Sequence, residues 1–176
     1  MAQQTQTIRW SDFYRFFAAH WEQGEHVSII GPTGRGKSTL AYALLPIREW
    51  SVVTATKTRD ETLTKFAKKY RFKTQQRFRP DYEHQKYIVW PHFRKPGDEA
   101  HQQVIFRETL DDVYVQGGWC LYIDETWYFE KVLKLGGLMN TFWSQSRSKD
   151  ITFMAATQRP RNVPLMMYDQ CTHLFG

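Results

Sequence analysis

The sequence predicts an α/β fold, a parallel sheet flanked by helices, and three stretches carry that prediction. Residues 27–30, Val-Ser-Ile-Ile, form a short apolar strand that enters a glycine-rich turn, Gly31-Pro32-Thr33-Gly34-Arg35-Gly36. The good helix formers of 40–45 follow it. Residues 119–123, Trp-Cys-Leu-Tyr-Ile, form a second apolar run, ending on Asp124-Glu125. Residues 151–156, Ile-Thr-Phe-Met-Ala-Ala, form a third and deliver Thr157-Gln158-Arg159-Pro160 to its carboxyl end.

In chain order, Ile8, Phe13, Phe16, Phe17 and Trp21 fall near helical spacing. They predict an amphipathic lead-in helix over 8–21 with Ser11 as its N-cap, closed by Gly24. Next comes the glycine-rich turn. Gly31 and Gly36 bracket four residues and Lys37-Ser38 follows, which is the G-x-x-x-x-G-K-[ST] pattern of a phosphate cradle. Glycines let backbone N–H groups turn toward an anion, and the helix starting near Lys37 adds its positive end. The predicted cradle is Gly31, Pro32, Thr33, Gly34, Arg35, Gly36, Lys37, Ser38 and Thr39. Lys37 reaches the β and γ phosphates, Ser38 ligates the Mg²⁺ bridging them, and Thr39 serves the α phosphate. An ordinary turn could match the pattern by accident, but the strand before it and the helix after it are the setting the chemistry needs.

Pro46 stops that helix, and residues 50–55 read as a β-branched strand with Thr56-Lys57-Thr58 at its carboxyl end, the side where open α/β sheets bind ligands. Asp60 caps a helix running to about Tyr70. Residues 62–80 contain no acidic side chain but carry Lys65, Lys68, Lys69, Arg71, Lys73, Arg77 and Arg79 among Phe66, Tyr70, Phe72 and Phe78. That pattern suits phosphate contacts with base stacking, making DNA a candidate partner. It equally suits a solvated helix face whose aromatics turn into the core. Residues 87–90 form a short strand ended by Pro91, 92–97 a loop, and 98–115 a helix closed by Gly117-Gly118.

Asp124 and Glu125 are the second chemical element. An acidic residue at the end of a buried strand holds Mg²⁺ opposite the Ser38 hydroxyl, a role assigned to Asp124. Glu125 then polarises the attacking water as general base. Residues 126–135 are aromatic with helical character, 138–148 read as a helix, and Gln158 after the next strand shares the rim with Lys37 and Asp124. Its amide can hydrogen-bond the γ phosphate or the lytic water. Pro164 opens a short helix to about Tyr168, and 171–176 read as a last strand.

At 176 residues the chain reads as one domain, 1–176, with 1–24 as the helical lead-in. Ending on an apolar strand, it reads as either a truncated form or a minimal core. Its net charge of +6, from 24 basic and 18 acidic residues, favours a polyanionic partner. No stretch approaches the ~18 apolar residues of a membrane span, and the N-terminus has no signal-like run, so no membrane insertion and a cytoplasmic location, the host's if viral, are expected. Cys120 and Cys171, each in an apolar run without metal spacing, are expected to be buried and reduced.

Together, Gly-Pro-Thr-Gly-Arg-Gly-Lys-Ser-Thr at 31–39, Leu-Tyr-Ile-Asp-Glu at 121–125 and Ala-Thr-Gln-Arg-Pro at 156–160 resemble the FtsK/HerA superfamily of ring-forming P-loop motors. The third element, followed by Asn162-Val163-Pro164, is the distinguishing one. The resemblance spans about residues 25–176 and implies a RecA-like P-loop NTPase core with sheet order 5-1-4-3-2. It also implies a catalytic Glu125, a sensor Gln158, ATP and Mg²⁺ as cofactors, and homo-oligomeric hexamers that pump DNA. Arg147 resembles the arginine such rings lend to the next subunit's site, with Arg159 and Arg161 as competitors. The chain lacks the membrane region, winged helix and N-terminal barrel of larger members, which favours a compact phage or mobile-element motor. Against this DNA-translocating ATPase stand two other readings, a small-molecule P-loop kinase and a nucleotide-gated phage assembly or export factor that moves protein.

Overall fold

The computed structural model describes residues 7–81, 83–158 and 164–176. Thirteen principal elements follow one another as α1 (Trp10–His20), β1 (Val27–Ile30), α2 (Lys37–Leu44), β2 (Ser51–Thr54), α3 (Glu61–Tyr70), β3 (Lys73–Gln75), β4 (Lys86–Val89), α4 (Glu99–Gln116), β5 (Cys120–Ile123), α5 (Gly136–Gln145), β6 (Thr152–Thr157), α6 (Leu165–Asp169) and β7 (His173–Phe175). The strands form one sheet ordered β3-β4-β2-β5-β6-β1-β7. Every pairing is parallel.

Five of these strands, β7, β1, β6, β5 and β2, run side by side in the order the expected 5-1-4-3-2 arrangement would give. That order does not describe the whole sheet, because β4 and β3 extend it beyond β2. The sequence pattern predicts no strand at β3. Lys-Thr-Gln is a polar edge strand with no buried residue, so it lacks an apolar pattern, and its polarity protects an exposed sheet edge.

Side chains alternate between two cores, as the two-residue strand period requires. Val27, Ile29, Val53, Tyr122, Met154 and Ala156 face one layer, shared with Phe17 of α1, Leu44 of α2 and Phe66 of α3. Val52, Val89, Leu121, Ile123, Phe153 and Ala155 face the other, packed against α4, α5 and Met167 of α6. Both faces of the central strands are buried, which leaves their carboxyl ends as the place for a polar site.

Several local expectations are corrected. Arg9, not Ser11, takes the N-cap position of α1, and Ser11 lies inside the helix. Residues Tyr128–Val132 form a π-helical turn just after the Asp124-Glu125 pair, a form that recurs at functional sites. Both cysteines are free, but only Cys120 is buried; Cys171 is partly exposed. Asp60 does cap α3, its carboxylate accepting from the Leu63 N–H at 2.9 Å.

Candidate functional site

The glycine-rich loop leaves β1 and enters α2 through backbone that only glycine adopts without strain. Gly34 and Gly36 have φ of +77° and +85°, and Gly36 is the N-cap of α2. Gly31 is different: a side chain there would meet only the Lys37 stem at 4.0 Å. The loop is tied to the sheet where the Gly31 N–H donates to the Thr157 carbonyl at 3.2 Å. Beside it lies a cleft of about 470 Å³ lined by Thr33, Gly34, Gly36, Lys37, Ser38, Thr39, Lys57, Arg59, Asp60, Thr62, Asp124 and Gln158. The segments that follow β1, β2, β5 and β6 thus meet at one end of the sheet, as parallel topology directs.

The hydrogen bonds show how each side chain is held. The Ser38 hydroxyl donates to Asp124 Oδ1 at 2.9 Å, and the buried Tyr122 hydroxyl donates to the same oxygen at 2.7 Å. Burial, and then the Asp124 charge, push the Tyr122 phenol well above its ordinary value, so it stays a donor. Gln158 Oε1 accepts from the Thr33 hydroxyl at 2.5 Å, which ties the end of β6 to the loop. The Lys37 ammonium donates to the Pro32 carbonyl at 2.8 Å and so folds back over the loop that surrounds it.

A divalent cation suits this site. Ser38 and Asp124 offer two hard oxygens within 2.9 Å of each other. Among the described residues no cluster of three His, Cys, Asp or Glu side chains could hold a metal. Magnesium typically takes one or two protein oxygens and completes its shell with phosphate and water, and this donor set matches that habit.

Glu125 is beside the cleft and does not line it. Its Oε1 accepts from the Thr157 hydroxyl at 3.1 Å and from the Trp127 N–H at 3.4 Å. It therefore sits against the residue immediately before Gln158. Arg147 is elsewhere. It precedes β6 at the amino ends of the strands, packs on Gly24, and donates to the Thr172 hydroxyl at 2.9 Å. Arg159 and Arg161 lie outside the described residues. Lys68, Lys69 and Arg71 are exposed at the far end of α3 from the cleft, while Phe66, Phe72 and Phe78 are buried. The base-stacking expectation for those three rings is therefore wrong: they serve the core, while Tyr70, the fourth ring of the segment, is half-buried.

Two contributors have no motif in the sequence. Lys57 lies 3.3 Å from Asp124 Oδ2 and 3.3 Å from Asp60 Oδ2. Burial opposes its charge, but the two carboxylates outweigh that and raise its pKa. Tyr122, an ordinary strand residue by pattern, buttresses Asp124. The one clue is the position of Thr56-Lys57-Thr58 at the carboxyl end of a strand.

No family model matches the chain, and no curated protein matches it. Solved structures do. B204, the DNA-packaging ATPase from Sulfolobus Turreted Icosahedral Virus, superposes with a TM-score of 0.53 over 85% of this chain and 73% of that one, at 18% identity. The genome packaging NTPase B204 from Sulfolobus turreted icosahedral virus 2, in complex with AMPPCP, gives 0.53 over 84% and 71%, at 16% identity. The cytoplasmic domain of EssC gives 0.56 over 88% of this chain and 31% of that one, at 12% identity. Likeness at these identities establishes a shared fold.

Proposed function

We propose that the chain is a Mg²⁺-dependent ATPase of the FtsK/HerA kind, a subunit of a ring that moves DNA during packaging or transfer. The observation that carries this reading is the convergence of Lys37, Ser38, Asp124 and Gln158 on one cleft. The fold shared with a DNA-packaging ATPase and with an AMPPCP-bound packaging NTPase supports it.

In this mechanism Lys37 leaves the Pro32 carbonyl for the β and γ phosphates, and the loop amides hold the remaining phosphate oxygens. A second, largely apolar hollow of about 350 Å³ behind the loop, between Leu40 and Phe175, is offered for the base. Ser38 and Asp124 would hold the magnesium, which when bound neutralises charge on the phosphates. Gln158 orients the γ phosphate and the water in line with it. Glu125 shifts from Thr157 to that water and takes its proton as the water oxygen bonds to phosphorus. The bond from the γ phosphorus to the bridging oxygen breaks, leaving ADP and phosphate. Arg147, remote from its own cleft, is offered to the neighbouring subunit's site, and the basic end of α3 to DNA.

Phosphate release measured with and without duplex DNA, alongside native mass in ATP, tests this reading. The wild type should form a ring and hydrolyse faster on DNA. Glu125→Gln should retain nucleotide binding while turnover falls by about a hundredfold or more. Undiminished turnover in that variant removes Glu125 as the base. Phosphate transferred to a metabolite, with no response to DNA, would make the protein a kinase.

A further inference from the structure

Asp124 has no unoccupied oxygen: Ser38 and Tyr122 donate to Oδ1, and the Lys57 ammonium sits on Oδ2. The same ammonium bridges to Asp60, whose other oxygen is fixed as the cap of α3. Both carboxylates are mostly desolvated, with side chains 14% exposed, so each requires a counter-charge. Lys57 itself is 51% exposed and lines the open cleft with Lys37 and Gln158, so its tip has room to move.

Its backbone, by contrast, is held. The Trp90 indole donates to the Lys57 carbonyl at 2.7 Å. The buried Gln102 amide donates to the Thr56 carbonyl at 3.1 Å and accepts from the Tyr128 hydroxyl at 2.7 Å. A half-exposed cation on a held backbone thus sits on the carboxylate assigned to the metal and on a second acid beside it.

We propose that Lys57 is a built-in counter-ion switch: it neutralises Asp124 in the nucleotide-free site and, when magnesium and triphosphate enter, yields Asp124 and turns to the γ phosphate. Asp60 remains its pivot. A metal on the Ser38 side of Asp124 and the ammonium on its Oδ2 would put two cations on one carboxylate, where like charges a few ångströms apart repel, and a bound triphosphate brings a new anion into the cleft that Lys57 lines. Lys57 therefore keeps Mg²⁺ from occupying the site without nucleotide and favours triphosphate over diphosphate. This proposal rests on the reading of the cleft as a triphosphate site.

The test compares wild type, Lys57→Met and Lys57→Arg by thermal unfolding with Mg²⁺ alone and by titration with ATPγS and ADP. Mg²⁺ alone should leave the melting temperature of wild type and Lys57→Arg unchanged and should raise that of Lys57→Met, whose two acids have lost their counter-charge. Lys57→Met should bind ATPγS about tenfold or more weakly while binding ADP as wild type does. Lys57→Met that is indifferent to Mg²⁺ alone, or that binds ATPγS undiminished, overturns the proposal. Failure of the wild type to bind either nucleotide would instead overturn the reading of the cleft.

Discussion

Single residues show how burial sets charge in this molecule. His26, just before β1, is 1% exposed, and its Nδ1 accepts from the Phe153 N–H at 3.2 Å. Burial, reinforced by the nearby Arg147 charge, depresses its pKa from 6.5 to about 4. Between those values the unfolded chain carries a proton that the folded ring refuses. Stability should therefore fall as pH drops from about 6.5 to 4, by about 3 kcal/mol in all. Urea unfolding across that range checks this, and His26→Asn, which keeps an acceptor for Phe153 but cannot titrate, should lose that part of the slope. An unchanged slope in the variant would assign the effect to other groups. None of this could be read from the sequence, where His26 is a lone histidine beside a strand. The phosphate cradle could be read because its chemistry lies in adjacent residues at fixed spacing. Lys57 meeting Asp124 depends on which strands become neighbours, and sequence order does not fix that.

Among the elements, α3 joins two chemistries. Its cap, Asp60, stands in the cleft, and its last turn carries Lys68 and Lys69, followed by Arg71 at its C-cap. Ten residues at 1.5 Å each put about 15 Å between these ends. Reversing charge at Lys68, Lys69 and Arg71 should weaken duplex DNA binding and flatten its salt dependence by about one unit of slope for each phosphate no longer neutralised. Nucleotide affinity should be unaltered, because the cleft lies at the other end. DNA binding that survives the triple reversal would move the DNA surface elsewhere. The aromatic members of this segment are ambiguous in sequence because a ring suits both a core and a stacking surface, and Phe66 and Phe72 pack with each other, ring centroids 4.6 Å apart, in the layer under α2. The central strands are evident from their apolar runs. The polar β3 and the π-helical turn, which depend on edge position and on packing, are not.

For the whole molecule, a seven-strand parallel sheet brings a loop, two carboxylates, a lysine and a glutamine from four strands to one end, and leaves Arg147 at the other. In the ring proposed above, the amino-end Arg147 of one subunit would meet the next subunit's cleft. The net charge of +6 suits a polyanionic track. All of this depends on the cleft holding a triphosphate with its metal. Calorimetric titration of wild type and Lys37→Ala with a nonhydrolysable ATP analogue in Mg²⁺ tests that most directly. Binding should saturate at about micromolar to sub-millimolar concentrations in the wild type and weaken by about tenfold or more in the variant. Equal binding by both proteins, or binding by neither, would contradict it.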